Sequence, residues 1–205
     1  MNRAPSFCAV ILAAGESTRM GRDKALLAWP PNGNETFLQA GIRSLQDFND
    51  LVIVVVGKNE SALAPLIYGA GATLVRNYEP ERGQFSSLQT GLQEVLNRGR
   101  DAAMVTLVDR PPVTNSTLQI LRENFDGALA DGKWAVIPEH EGKHGHPMLI
   151  DREMIEAFLK APLAASARDI KHQFQSRIAY IPVDDPNVAL NVNTPEDYAA
   201  LRLDG

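Results

Sequence analysis

The chain has 205 residues, of which 44% are hydrophobic and 22% charged, and its formal net charge is −5. This size and composition predict one soluble globular domain over residues 1–205, with a substantial core. The negative charge gives no support to nucleic-acid binding. The single cysteine, Cys8, excludes an intrachain disulfide. We expect no signal peptide and no membrane span, and therefore a cytoplasmic protein that binds neither nucleic acid nor membrane.

Short apolar runs alternate with helix-like stretches along the chain. The predicted strands are residues 7–13, 51–56, 72–75, 102–108, 134–138, 146–150 and 178–181. The predicted helices are residues 36–47, 60–68 (interrupted or begun around Pro65), 85–97, 115–125, 151–159, 166–174 and a last one from 195. Segments 30–35 and 139–145 are predicted loops. This alternation predicts an α/β sandwich with a mainly parallel sheet, in which ligands bind beyond the carboxyl ends of the strands.

A glycine-bearing loop with spaced cations follows the first strand, in the sequence L-A-A-G-E-S-T-R-M-G-R-D-K from Leu12 to Lys24. Gly15 lets the backbone turn its N–H groups onto an anion, and Arg19 and Lys24 can add charge-assisted hydrogen bonds. The glycine spacing excludes a P-loop, and the dinucleotide fingerprint G-x-G-x-x-G is absent. The loop therefore predicts a polyphosphate site of another class. The alternative is an ordinary strand-to-helix turn with solvated cations.

Asp109 ends the strand predicted at 102–108, at the same edge of the sheet as this loop. A carboxylate there is a natural Mg²⁺ ligand, because Mg²⁺ commonly takes one or two protein oxygens together with water and substrate phosphates. The alternative is an aspartate that makes a turn before proline. We expect the metal role.

Two further segments place polar side chains before helices. In N-V-N-T-P-E-D, Asn191 and Asn193 point the same way if the chain is extended, and Thr194 also fits the cap of a helix. In R-G-Q-F-S-S-L-Q, Ser86 or Ser87 is predicted to cap the helix that follows. A third segment is rich in histidine, but its spacing matches no standard zinc site and no thiol accompanies it, so we do not expect zinc at His140, His144 and His146.

These segments together resemble the MobA-like nucleotidyltransferase family, which includes the molybdenum cofactor cytidylyltransferases and guanylyltransferases. The resemblance runs from residue 12 to residue 197 and also includes the G-H-P run that starts at Gly145. It implies a three-layer, Rossmann-like nucleotide-diphospho-sugar transferase fold with a mixed, mainly parallel sheet. It also implies transfer of a nucleoside monophosphate from a triphosphate to a phosphorylated acceptor, with Mg²⁺ as cofactor and pyrophosphate as the leaving product.

The resemblance also implies a role for each matching residue. Arg19, Lys24 and Asp109 would be catalytic, and Asp109 and Asn193 would hold the metal. His146 and Asn191 would contact the acceptor, and Gln84 would read the edge of the base. The residues expected at the nucleotide are Leu12, Ala13, Ala14, Gly15, Arg19, Lys24, Gln84, Ser86 and Ser87.

Within the family, L-A-A-G resembles the cytidine-using branch, since the guanine-using branch more often has two adjacent glycines there. We therefore expect CTP as donor, molybdopterin as acceptor, and a molybdoenzyme as recipient of the product. Arg110 departs from the glutamine that is usual after the aspartate in cytidylyltransferases, and this bears on the identity of the acceptor. Two alternatives stay open: the same chemistry on a sugar or polyol phosphate, and a non-catalytic protein that binds nucleotide or cofactor. The missing G-x-G-x-x-G counts against a dinucleotide oxidoreductase.

Overall fold

A computed structural model of the chain describes residues 6–162 and 164–201, and its central element is an eight-stranded mixed sheet. The order across the sheet is β10-β7-β9-β6-β1-β4-β5, with β8 paired to β7, while β2 and β3 form a separate antiparallel pair. The strands are β1 (Phe7–Leu12), β2 (Ala28–Trp29), β3 (Glu35–Thr36), β4 (Leu51–Val56), β5 (Thr73–Arg76), β6 (Ala102–Leu107), β7 (Ala135–His140), β8 (Lys143–His144), β9 (Met148–Asp151) and β10 (Ile178–Pro182).

The helices connect the strands as the alternating pattern predicts. They are α1 (Phe37–Gln46), α2 (Glu60–Gly69), α3 (Gln84–Asn97), α4 (Asn115–Ala130), α5 (Arg152–Lys160), α6 (Ala167–Gln173) and α7 (Pro195–Ala200). None of the helices in the described part of the chain is long and apolar enough to cross a membrane.

The centre of the sheet is parallel and buried on both faces. Strand β1 pairs in parallel with β4 on one side and β6 on the other, and β4 pairs in parallel with β5. These strands are continuous apolar runs, as helices on both faces of a parallel sheet require. Strand β9 is antiparallel to β6 and β7, which makes the sheet mixed. The predicted fold class is confirmed.

Side chains of β1 alternate between two cores, one on each face of the sheet. Ala9 and Ile11 pack with apolar residues of α1, α2 and α4, and Val10 and Leu12 pack with apolar residues of α3 and α5. The two helix layers and the sheet between them form the three-layer sandwich.

The structure corrects three local predictions. Helix α2 runs through Pro65, because the fully buried Leu63 and Ile67 on either side outweigh the roughly 3 kcal/mol that an interior proline costs. Helix α4 continues five residues beyond 125, where Leu129 packs on the core. The segment predicted as a loop at 139–145 instead contains the end of β7 and the whole of β8, which form a hairpin, whereas the predicted loop at 30–35 does connect β2 to β3 and only its last residue is in a strand.

Strand direction decides where polar loops can meet. The carboxyl ends of the parallel strands β1, β4 and β6 lie at Leu12, Val56 and Leu107, on one edge of the sheet. The backbone N–H of Val108 donates to Leu12 O at 3.1 Å, and Ala13 N donates to Val55 O at 2.8 Å, so the loops stay in register just past the strands. The first loop and Asp109 are thereby brought to the same place.

Candidate functional site

Two adjoining cavities open at this edge of the sheet. The first has a volume of about 270 Å³ and the second about 670 Å³. Their common wall contains both of the predicted metal-binding residues, because Asp109 and Asn193 line both cavities. The whole set of shared lining residues is Leu12, Arg19, Gly83, Gln84, Leu107, Asp109 and Asn193. The arrangement can hold two ligands whose nearest atoms meet at this wall.

The first loop is held in shape by its own polar side chains. Ser17 and Gly21 adopt left-handed backbone conformations, with φ of 49° and 71°, and Lys24 N donates to Ser17 Oγ at 3.2 Å. Asn59, just beyond β4, donates to Ala13 O at 2.9 Å and to Asp23 Oδ2 at 2.7 Å. The loop is therefore fastened to the next strand of the sheet.

The loop presents its cationic residues to the cavities. Arg19 lines both cavities and makes no hydrogen bond or ion pair with any other described residue, so its guanidinium is available to an anion. Leu12, Ala14 and Gly15 line the first cavity, whereas Ala13 is buried behind it and lines neither.

Asp109 and Asn193 of the common wall form a compact polar cluster with Lys24, which lines the first cavity. Lys24 Nζ donates to Asp109 Oδ2 at 3.0 Å and to Asn193 Oδ1 at 2.8 Å. The ion pair is largely shielded, with 11% of the Lys24 side chain and 21% of the Asp109 side chain exposed. Asp109 Oδ1 is buried and has no hydrogen-bond partner among the described residues.

This orphaned oxygen bears on whether a metal fits here. A buried carboxylate oxygen without a partner is costly unless a donor or a cation satisfies it. Carboxylate and amide oxygens are ligands that Mg²⁺ accepts, commonly one or two from the protein with water and substrate phosphates completing the shell. Asp109 and Asn193 therefore offer the kinds of oxygen ligand that would hold a divalent cation.

The segment that carries the two asparagines is tied to the strand end. Val192 N donates to Asp109 O at 2.8 Å, which places Asn193 beside the carboxylate. Asn193 lines both cavities and Asn191 lines the second. Thr194 and Asp197 form a capping box at the start of α7. The segment therefore both caps a helix and lines the cavities.

The start of α3 differs from the prediction. The helix begins at Gln84 and its N-cap is Gly83, with φ of 90°, so neither Ser86 nor Ser87 caps it. Ser86 Oγ instead donates to Gly83 O at 2.8 Å, and Asn77 Nδ2 donates to both serine hydroxyls at 2.9 and 3.0 Å. These bonds are possible because Asn77 follows β5 directly and is buried under the loop.

The residues of this turn face different ways. Gln84 is exposed and lines both cavities, and Ser87 lines the first. Ser86 lines neither cavity, because its hydroxyl is used within the turn.

His146 lies on the wall of the second cavity, and its ring is mostly buried. Burial, together with the positive charges of Arg110 and Lys171, lowers the pKa of His146 to about 3, although a hydrogen bond to Val105 O acts in the opposite direction. The ring is therefore neutral at pH 7, and Nδ1 donates to Val105 O at 3.2 Å. Nε2 is then a hydrogen-bond acceptor.

The other two histidines of that segment have separate partners. His140 Nδ1 lies 3.0 Å from Val183 O, and His144 Nε2 lies 3.0 Å from Glu139 Oε2, with its ring stacked on Tyr180. Across residues 6–162 and 164–201, no group of three or more His, Cys, Asp or Glu side chains is placed to hold a metal ion.

Some residues that shape the site were not predicted. Asn59 and Asn77 fasten the loops of the site through side-chain hydrogen bonds. Their positions in the sequence indicate such a role, since each follows shortly after a predicted strand at the ligand-binding edge of the sheet. Arg168 and Lys171 of α6 line the second cavity. Nothing in the sequence pattern indicates that this helix reaches the site.

The chain matches known proteins over most of its length. The model of the MobA-like NTP transferase domain matches residues 9–178. The chain is 24% identical to the molybdenum cofactor cytidylyltransferase of Escherichia coli K12, over 94% of both chains. It is 25% identical to a probable molybdenum cofactor guanylyltransferase of Bacillus cytotoxicus, over 96% of both chains.

Solved structures agree with the fold. The crystal structure of Rv0371c from Mycobacterium tuberculosis H37Rv superposes with a TM-score of 0.75 at 25% identity, over 97% of this chain and 98% of that one. A complex of the same mycobacterial protein with manganese superposes with a TM-score of 0.68 at 21% identity, over 96% and 97% of the two chains. With the match of the domain model to residues 9–178, these findings show that the chain belongs to the MobA-like NTP transferase family, a family of nucleotidyltransferases.

Proposed function

We propose that this protein transfers cytidine monophosphate from CTP to the phosphate of molybdopterin and releases pyrophosphate. The observation that carries the proposal is the cluster of Lys24 with Asp109 and Asn193, the latter two lying on the wall between two cavities. A reaction that joins two phosphorylated substrates needs charge stabilisation where they meet, and this wall supplies it.

The first cavity is assigned to the nucleotide. Arg19 and Lys24 bind the β- and γ-phosphates, and the backbone of the loop from Ala14 to Gly15 supports them. Gln84 offers both a donor and an acceptor to the edge of the base, and it lines this cavity. Ser87 also lines this cavity. Ala13 and Ser86 do not line it, and they support the nucleotide site by holding the backbone of their loops in place.

The second cavity is assigned to the acceptor. Its greater volume suits a substrate larger than the phosphate chain of the nucleotide. The neutral His146 offers Nε2 as a hydrogen-bond acceptor, and Asn191 adds an amide.

The transfer needs no covalent intermediate with the enzyme. An oxygen of the acceptor phosphate attacks the α-phosphorus of CTP, forming a new P–O bond. The bond between the α-phosphorus and the oxygen that bridges to the β-phosphate breaks, and pyrophosphate leaves with that electron pair. Arg19 and Lys24 stabilise the negative charge of the leaving group, and the common wall holds both phosphates in line.

Asp109 and Asn193 are the residues that would hold Mg²⁺. The ion supplies positive charge to the phosphate oxygens at the point of attack. Lys24 donates a hydrogen bond to one oxygen of each of these side chains. The unpartnered Asp109 Oδ1 would be open to the ion, and the Lys24 ammonium beside it would bind phosphate.

The choice of CTP rests on two features. The run from Leu12 to Gly15, L-A-A-G, resembles the cytidine-using branch, since the guanine-using branch more often has two adjacent glycines there, and Gln84 suits the edge of a pyrimidine. Named relatives of both kinds are about equally similar to this chain, at 24% and 25% identity, so the base is decided by experiment. We further propose that residues 1–205 act as one domain in the cytoplasm and pass the product to a molybdoenzyme.

Transfer of label tests the donor and the acceptor together. Each of the four nucleoside triphosphates, labelled at the α-phosphate, is incubated with Mg²⁺, the protein and molybdopterin, and the label in the acceptor is measured. We expect transfer from CTP. Transfer from GTP alone would overturn the choice of base. Transfer to a sugar or polyol phosphate but not to molybdopterin would overturn the choice of acceptor, and CTP binding without any transfer would favour a binding protein.

A further inference from the structure

The second cavity is lined by far more positive than negative charge, although the chain as a whole carries a net charge of −5. Among the described residues that line it, Asp109 is the one carboxylate, and it is already paired with Lys24. Its cationic lining residues are Arg19, Arg82, Arg110, Arg168 and Lys171. Arg19 also lines the first cavity, and Arg82 is paired with Glu79 at 2.6 Å. The remaining three cations, Arg110, Arg168 and Lys171, do not line the first cavity and form no ion pair with a described residue.

Arg110 is held firmly without an acidic partner. Its Nη1 donates to Val188 O at 2.9 Å and to Leu190 O at 3.2 Å, and its Nε is buried without a partner among the described residues. Both carbonyls belong to the segment just before Asn191. The guanidinium is thus fixed in position by neutral groups, and no described carboxylate forms an ion pair with it.

Lys171 reaches the same cavity from α6. It is half-buried, and it makes no hydrogen bond or ion pair with any residue that the structure describes. Burial lowers the pKa of Lys171, and the nearby charges of Arg110 and Arg168 lower it further. Buried cations of like charge are unfavourable unless an anion lies between them.

We infer that Arg110 and Lys171 form a second anion-binding site in the acceptor cavity, so that the acceptor carries an anionic group besides the phosphate that reacts at Asp109. This inference rests on the proposed function, because it names the class of acceptor. The group is an oxyanion or another compact anion, such as a phosphate or a carboxylate. A neutral polyol with a single phosphate would leave both cations unpaired, so this site selects against such an acceptor.

Binding of inorganic phosphate tests the site without any assumption about catalysis. Titration calorimetry is performed on the native protein and on Arg110→Gln, Lys171→Gln and Lys24→Met. We expect each of the first two changes to weaken phosphate binding in the second cavity at least tenfold, while Lys24→Met retains that binding. Lys160→Gln is the matched control, since Lys160 is an exposed lysine of the neighbouring helix α5. Its phosphate affinity should equal that of the native protein.

The inference is overturned if Lys24→Met abolishes phosphate binding while Arg110→Gln and Lys171→Gln leave it unchanged, because phosphate then binds only in the first cavity. Should Arg110→Gln fail to fold for want of its bonds to Val188 and Leu190, Lys171→Gln alone decides the result. Thermal unfolding of each variant shows which case applies.

The acceptor is tested by steady-state kinetics. In both charge-removing variants the KM for the acceptor should rise at least tenfold, while the KM for CTP stays within twofold of the native value. An unchanged acceptor KM, with phosphate binding lost, would overturn the assignment of the anion site to the acceptor. If the native protein transfers no nucleotide to any acceptor, the proposed function fails, and the phosphate titration still decides whether the anion site exists.

Discussion

Lys24 and Asp109 form an ion pair with 3.0 Å between Nζ and Oδ2, although 85 residues separate them in the chain. The contact exists because β1 and β6 are parallel neighbours whose carboxyl ends lie at the same edge of the sheet. Each residue follows one of these strands, and Asn193 completes the cluster from the segment before α7. The pair is therefore a direct product of the sheet topology.

Removing either charge of this pair should slow the reaction far more than it affects folding. We expect Lys24→Met and Asp109→Asn each to reduce kcat by about 10²–10³-fold or more, as the loss of a charge-stabilising group at a transition state does. Lys58→Met is the matched control, because Lys58 is an exposed lysine that pairs with Glu16 at 2.7 Å outside the cavities. Native-like turnover in the first two variants would refute the assignment of the site.

Helix α3 packs so closely on the sheet that Gly91 admits no side chain. A Cβ there would lie 2.7 Å from Val10 Cγ1 and 2.9 Å from Val55 Cγ2. We expect Gly91→Ala to destabilise the fold by about 1–3 kcal/mol, as overpacking does. Urea denaturation measures the change.

Gly127→Ala is the control for this substitution. Gly127 is also inside a helix, but nothing lies within 4 Å of the position of its Cβ. Alanine there should stabilise the protein by roughly 0.5–1 kcal/mol. Equal effects of the two substitutions would contradict the close packing of α3.

Asp185 joins the segment before the two asparagines to the start of α4. Its carboxylate is buried and accepts hydrogen bonds from Thr114 N at 2.9 Å, from Thr117 Oγ1 at 2.8 Å and from Asn187 N at 3.0 Å. Asp185→Ala leaves these donors without an acceptor and should cost about 2–4 kcal/mol in the free energy of unfolding.

The neighbouring Asp184 provides the comparison, because it is exposed and makes no hydrogen bond with the described residues. Asp184→Ala should change the free energy of unfolding by less than about 0.5 kcal/mol. If both variants lose the same stability, Asp185 does not hold the two segments together.

His146 should make the fold less stable in acid. Burial lowers its pKa to about 3 in the folded protein, whereas the unfolded chain takes up a proton near pH 6.5. The unfolded state therefore binds more protons between these values. The contribution of His146 to stability is complete above about pH 6.5 and is lost progressively as the pH falls towards about 3.

His146→Asn isolates this effect, since the asparagine amide nitrogen matches the position of the imidazole Nδ1 that donates to Val105 O. Between pH 7 and pH 4, the free energy of unfolding should fall more steeply for the native protein than for the variant. The difference between the two slopes should approach the value for one extra proton bound by the unfolded chain. Taking the difference between the two proteins cancels other groups that titrate in this range, among them Asp151, whose pKa burial raises to about 7. Parallel pH profiles would contradict the neutral state of His146.

The elements of the central sheet could be predicted because their sequences are unambiguous. Strands β1, β4 and β6 are continuous apolar runs that end in polar or glycine-bearing turns, and the rule that ligands bind at carboxyl ends then locates Arg19, Lys24 and Asp109. The helix limits were less predictable, since Pro65 and Gly127 are weak local signals that tertiary packing overrides.

The second cavity could not be predicted from local patterns. Its cations come from α6 and from the turn after β6, and no periodicity shows which face of α6 meets which strand end. The same holds for the orphaned oxygen of Asp109, which depends on contacts between distant segments. Asn59 and Asn77 could have been predicted as residues of the site, because both follow strands at the ligand-binding edge of the sheet.

Pyrophosphate release tests the central claim most directly. The rate is measured with Mg²⁺ and CTP, with and without molybdopterin, for the native protein and for Asp109→Ala. Direct transfer across the common wall predicts release that depends on the acceptor and is lost in the variant. Release at the same rate without acceptor, or undiminished release by Asp109→Ala, would contradict transfer at the Lys24–Asp109 site.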